Sequence, residues 1–149
     1  MTNSRRSLWL TCFVLLPLAG LVFSQVTSSA GRAAAVGPQR YHSVTGLKKE
    51  KADYYIKLHA ETWPGVLRMI KASHIQNYSI ALKEIDGKLW LFSYFEYTGT
   101  DLNADMKRMA ADPETQRWWK ETDPCQSPLP DAAAKGKIWS DAREVFFTP

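Results

Sequence analysis

Three features of the sequence predict an α+β fold. Residues 50–73 carry apolar side chains at helical spacing. Residues 77–97 read as two strands joined at Asp86-Gly87. A helical stretch after Asp112-Pro113 leads on to an apolar terminal run, Glu144–Phe147. The order is β-α-β-β-α-β, the ferredoxin-like arrangement of one antiparallel sheet with helices on one of its faces. The other face needs cover, and two copies packed sheet to sheet, a dimeric α+β barrel, would provide it.

The elements follow in order. Tyr41–Leu47 alternates and reads as the first strand. Tyr54, Tyr55, Leu58, Val66, Leu67 and Ile70 recur at helical intervals over Glu50–Ser73. Pro64 interrupts this run, because a helix-interior proline loses a hydrogen bond and clashes with the preceding turn. A kink or two abutting helices are expected there. From Asn77 to Ile85, Tyr78, Ile80 and Leu82 fall on one side of a strand. Asp86-Gly87 then supplies two residues tolerant of positive φ, a strong hairpin signal. The returning strand, Leu89–Tyr97, is mostly apolar or aromatic (Trp90, Phe92, Tyr94, Phe95), which predicts cover on both faces. Thr100 or Asp101 caps a helix running to Ala111, and Asp112-Pro113 starts another. Residues 123–137, rich in proline, read as a loop, and Glu144–Phe147 as the last strand.

The N-terminus has a different composition. Arg5 and Arg6 precede an apolar run of 16 residues, Leu8–Phe23, shorter than the roughly 20 residues of a membrane span. Small residues follow, with Ser28-Ser29-Ala30 suited to a signal peptidase. Residues 1–30 therefore read as a signal peptide, or an N-terminal anchor if uncleaved, 31–39 as a linker and 40–149 as the domain. This predicts an exported protein, periplasmic or secreted, with membrane anchoring through the N-terminal segment as the alternative.

The net charge of +4 comes mostly from the segment before the domain. Arg5, Arg6 and Arg32 are three of the 19 basic residues, which leaves 16 against 15 acidic ones. No basic stripe remains for a nucleic-acid partner. Of the two cysteines, Cys12 lies in the leader. Cys125 alone forms no internal disulfide and reads as an inert thiol. His42, His59 and His74 show no metal-ligand spacing with one another, so no metal is expected.

Two constellations carry possible chemistry. His59 lies one turn after Tyr55, so both project from one helix face. A histidine beside a phenol can move protons near neutral pH, although the same spacing also fits a histidine satisfied in the core. Trp118 and Trp119 point about 100° apart on their helix, so one at most sits squarely in the core. The other is free to stack on a sugar ring or to meet a partner subunit. Tyr78 alone is an ordinary strand aromatic, and Asp112, Asp123 and Glu144 are acids that spacing does not pair.

Taken together, five segments resemble the L-rhamnose mutarotase family. They are Tyr55-Ile-Lys-Leu-His59, Trp63-Pro64, Asn77-Tyr78-Ser-Ile80, Gln116-Arg117-Trp118-Trp119-Lys120 and Glu144-Val145-Phe146. The resemblance covers about residues 40–149. It implies a ferredoxin-like homodimer that interconverts the α and β anomers of L-rhamnose or a related deoxysugar, an isomerase of carbohydrate metabolism without metal or organic cofactor. It implies that His59 is catalytic and that Tyr55, Tyr78, Trp118 and Trp119 bind the monosaccharide. The sequence departs from the family at Gly65, where Trp-Pro is usually followed by Glu, in the longer, proline-rich segment 123–136 and in the leader. These departures leave the sugar open. Ferredoxin-like dimers also include cofactor-free monooxygenases and non-catalytic binding modules, which are the alternative readings.

Overall fold

A computed structural model describes residues 37–148. The expected leader, 1–30, and most of the linker lie outside the described residues. Among the described residues no helix is long and apolar enough to cross a membrane.

The chain forms β1 (Gln39–Leu47), α1 (Ala52–Ala60), α2 (Pro64–Ala72), β2 (Ile75–Ile85), β3 (Lys88–Tyr97), α3 (Leu102–Ala111), α4 (Pro113–Thr122), β4 (Gln126–Ser127), α5 (Pro130–Ala133) and β5 (Ser140–Ala142). The sheet is ordered β2-β3-β1-β4, with β5 also paired to β1, and the pairings are antiparallel. This is the ferredoxin-like order, with β1 and β2 separated by β3. Pro64 divides the predicted long helix in two and occupies the first position of α2, where a missing N–H costs nothing. Asp86 and Gly87 both take positive φ, 49° and 72°, as the hairpin requires. Asp101 caps α3 by accepting from Ala104 N at 3.0 Å. Asp112 caps α4 by accepting from Thr115 N at 2.7 Å.

Leu89, Leu91, Ser93, Phe95 and Tyr97 of β3 share one face with Tyr41, Ser43, Thr45 and Leu47 of β1. On that face Leu47 and Leu91 pack with Tyr55 and Cys125, and Tyr97 packs with Ile75 and Met109. A buried carboxylate joins α3 to the strand ends. Asp105 accepts from Tyr97 Oη at 2.7 Å and His74 Nδ1 at 2.7 Å, and pairs with Arg108 at 2.8 Å. These hydrogen bonds, Tyr97 first, hold its carboxyl below the ordinary range.

Two expectations change. The last strand is Ser140–Ala142, not Glu144–Phe147. Beyond it, the Glu144 carboxylate takes two hydrogen bonds from Arg40, at 2.7 and 2.8 Å, and lies 3.2 Å from His42 Nε2. That fixes the tail by a side chain rather than by a ladder and leaves Val145 and Phe146 exposed. The segment expected as loop carries a 3₁₀ turn (Asp123–Cys125), β4 and α5, each of which begins on or next to a proline-preset backbone or pairs with β1. Within the single chain one face of β3 is covered and Phe92 on the other face is 41% exposed.

β2 contains an irregularity that matters for the site. Gln76 pairs with Glu96, but the next registered pair is Ser79 with Tyr94. Asn77 and Tyr78 thus oppose the single residue Phe95. Such a bulge bends the strand and increases its twist. Asn77 absorbs it with φ 49°, a conformation asparagine tolerates better than most residues, and its Nδ2 donates to Glu96 at 2.9 Å. Across the bulge Ile75 and Tyr78, three positions apart, face inward together.

Candidate active site

Between the inner sheet face and the helices lies an open cavity of about 780 Å³. Both core clusters contribute to its wall, so the cavity divides the core. Its size suits a small ligand.

The five residues singled out in the sequence all line this cavity: Tyr55, His59, Tyr78, Trp118 and Trp119. α1 supplies the first two. Their rings lie 4.1 Å apart between centroids, and the His59 ring meets Trp118 edge-on at 5.2 Å. Trp118 is 6% exposed and is backed edge-on by Trp63 at 5.4 Å. Trp119 is only half-buried and packs towards the Tyr97 cluster. Trp63, at the start of α2, therefore supports the wall from behind.

His59 has a defined tautomer. Its Nδ1 lies 2.9 Å from the carbonyl oxygen of Tyr55. A carbonyl only accepts, so Nδ1 carries the proton and Nε2 is the basic nitrogen of the neutral ring. Among the described residues Nε2 has no hydrogen-bond partner. Burial lowers the pKa of His59, and the Tyr55 carbonyl opposes that shift in part. The ring therefore stays neutral to a lower pH than a free imidazole.

The two tyrosines behave differently from His59. Tyr55 is 4% exposed, and burial pushes its phenol far above the ordinary range, with Tyr78, Cys125 and Asp123 adding to the rise. Tyr78 stacks edge-on against Phe95 at 5.9 Å. It is 44% exposed, to the cavity it lines, yet protein surrounds it closely enough that desolvation raises its phenol, against a smaller opposing effect of Ser93. Both phenols stay neutral across physiological pH and serve as hydrogen-bonding groups.

Spacing did not single out Thr115, Asp123 and Gln126, which also line the cavity. Thr115, Trp118, Trp119 and Thr122 recur at i, i+3, i+4 and i+7 on α4, so the helical stripe could have flagged Thr115. Asp123 and Gln126 flank a 3₁₀ turn that leaves no such period. Cys125 is buried, with a thiol that burial pushes up, as befits an inert packing residue. Among the described residues no three His, Cys, Asp or Glu side chains are grouped to hold a metal ion.

Known proteins resemble this chain over the same region. The sequence model of the L-rhamnose mutarotase family matches residues 40–148. An L-rhamnose mutarotase of Bacillus subtilis (strain 168) is 29% identical over 109 residues, 73% of this chain and 97% of the relative. One from Lactiplantibacillus plantarum is 30% identical over 107 residues, 72% of this chain and 95% of the relative. A crystal structure of an L-rhamnose mutarotase from Formosa agariphila superposes with a TM-score of 0.55 at 21% identity, covering 74% of this chain and 99% of that one. That structure shares the fold.

These matches correct the exported location expected from the leader, whether periplasmic, secreted or membrane-anchored. The relatives are covered almost end to end by about 110 residues of this chain, so the apolar run at 8–23 has no counterpart in them. The location is withdrawn. With the family model matched across the whole described domain, the chain belongs to the L-rhamnose mutarotase family.

Proposed function

We propose that this protein interconverts the α and β anomers of L-rhamnose or a closely related deoxysugar, with His59 as catalytic acid/base. The observation that carries this reading is the Nε2 of a neutral, tautomer-locked His59, unpartnered among the described residues, on the wall of an aromatic cavity. The family assignment supports the substrate class. Nε2 takes the proton of the anomeric hydroxyl as C1=O forms, the C1–O5 bond breaks with its electron pair going to O5, which gains a proton, C1 rotates, and the ring closes from the other side with each transfer reversed. Tyr55 and Tyr78 bind and orient sugar hydroxyls. Trp118 and Trp119 present indole to the C–H face and the 6-methyl group of the sugar. The reaction also proceeds slowly in water, so orientation and proton transfer supply the modest acceleration needed. The sheet face bearing Phe92 is the proposed homodimer contact.

NMR magnetisation transfer between the anomeric protons of L-rhamnose tests this directly. Exchange should be fast with the native chain and fall about 10²–10⁴-fold towards the buffer rate in His59→Ala. Native exchange no faster than buffer would sink the reading. A saturable but silent sugar titration would then point to a binding module, and oxygen uptake to a monooxygenase.

A further inference from the structure

Ring opening moves two protons, one off the anomeric oxygen and one onto the ring oxygen, and His59 accounts for a single site of transfer. Among the described residues four titratable side chains line the cavity: Tyr55, His59, Tyr78 and Asp123. The two phenols hold their protons too tightly to exchange them readily. Asp123 remains.

Asp123 sits on a rigid mount. It opens the 3₁₀ turn Asp123–Cys125 directly after α4. Lys48 clamps that turn to the end of β1, its Nζ donating to the Pro124 carbonyl at 2.8 Å and its backbone N–H to the Cys125 carbonyl at 2.9 Å. Among the described residues the Asp123 carboxylate has no hydrogen-bond or ion-pair partner. Three residues on, Gln126 is 4% exposed and holds its Nε2 against the Thr122 carbonyl at 3.3 Å. Among the described residues its buried Oε1 has no donor. Thr115 Oγ1, in a residue 2% exposed, is likewise unpartnered. Both residues line the same cavity as Asp123. Buried acceptors left empty are costly, and a polyhydroxylated ligand is the chemistry that fills them.

We propose that Asp123 is a second catalytic residue, exchanging a proton with the ring oxygen, while Gln126 Oε1 accepts a sugar hydroxyl and holds the ring in place. The assignment rests on the mutarotase reading. In ring opening, His59 Nε2 takes the proton from the C1 hydroxyl, and the O–H electron pair forms the C=O bond. The C1–O5 bond breaks with its pair going to O5, which takes the proton of the Asp123 carboxyl. Closure reverses each transfer, so His59 and Asp123 return to their starting states. Burial lowers His59 and raises Asp123, which brings their proton affinities together, as a pair that trades one proton requires. Tyr55 from α1 and Tyr78 from β2 stay neutral beside them, and Cys125, Lys48 and Glu121 stand around the turn.

The test is the pH profile of L-rhamnose anomer exchange, above the buffer rate, for the native chain, Asp123→Asn and Asp123→Ser. A pair that works with one proton between its members gives a bell, rising as the first proton leaves and falling as the second does. Either substitution should lower the maximum about 10²-fold and reduce the bell to a single limb. Gln126→Leu should raise the half-saturating sugar concentration and keep the bell. Native acceleration with a bell that survives both Asp123 variants overturns the assignment and leaves the mutarotase reading intact. A native chain that accelerates nothing overturns both, so the two failures are distinct.

Discussion

At the scale of single residues, one carbonyl decides how His59 can act. The Tyr55 carbonyl fixes the proton on Nδ1, and burial keeps the ring neutral to lower pH than usual. Burial likewise raises the Tyr55 phenol well beyond physiological pH, which favours a hydrogen-bonding role for it. A phenol raised in this way is protonated throughout the working range, so its removal should leave no trace in the pH profile. Tyr55→Phe should therefore weaken L-rhamnose binding several-fold with both pH limbs unmoved, as read by anomer exchange across pH. A shifted or missing limb would give Tyr55 a proton-transfer role. The sequence showed that Tyr55 and His59 share a face, because helical spacing fixes that. It did not show the tautomer, which depends on a rotamer reaching back one turn. It also paired Trp118 and Trp119 without showing which is buried. Asp123 and Gln126 were illegible as partners because their proximity comes from a tight turn clamped by Lys48, far away in sequence.

At the scale of elements, the start of α2 explains the departure at Gly65. Glu114 of α4 reaches across and accepts from Gly65 N at 3.1 Å, placing a carboxylate at the positive end of that helix. A Cβ at position 65 would collide with this carboxylate. Glu114 thus does from a neighbouring helix what a local acidic residue would do at the same end. Gly65→Ala should destabilise the native protein, because displacing the carboxylate loses about 1 kcal/mol. In a Glu114→Ala background the same change should stabilise by about 0.5 kcal/mol through helix propensity. Chemical denaturation of the four proteins reads this coupling, and the same sign in both backgrounds would refute it. The hairpin, both caps and the break at Pro64 were legible because each depends on neighbours in sequence. The terminal strand was misplaced because its competitor is long-range: Arg40 and His42 capture Glu144 and hold its carboxyl down to about 2, the Arg40 hydrogen bond being the main cause.

For the whole molecule, the two sheet faces differ in kind. One carries the divided core and the cavity. The other presents Val44, Phe92 and Ala81 in register across three strands. An aromatic residue exposed at the centre of a sheet is the feature expected of a self-association surface. Sedimentation equilibrium should find a dimer, and Phe92→Glu should shift it to monomer with secondary structure intact. A native monomer at the same concentrations would dismiss the sheet-to-sheet contact. The element order was readable in sequence, and the uncovered face followed from it, whereas the cavity was not. A void has no residues of its own and emerges only when curvature and side-chain size are known together.

The curl of that wall traces to one surplus residue in β2. Remove Asn77, and Gln76 and Tyr78 become regular neighbours opposite Glu96 and Phe95, with every wall residue still facing inward. The wall residues and their order are unchanged. What changes is the arc on which they stand. The spacing between Tyr78 and the helices is therefore written into the chain as a count rather than as an identity. Relatives lengthened or shortened by one residue there would hold the same groups around a differently shaped guest.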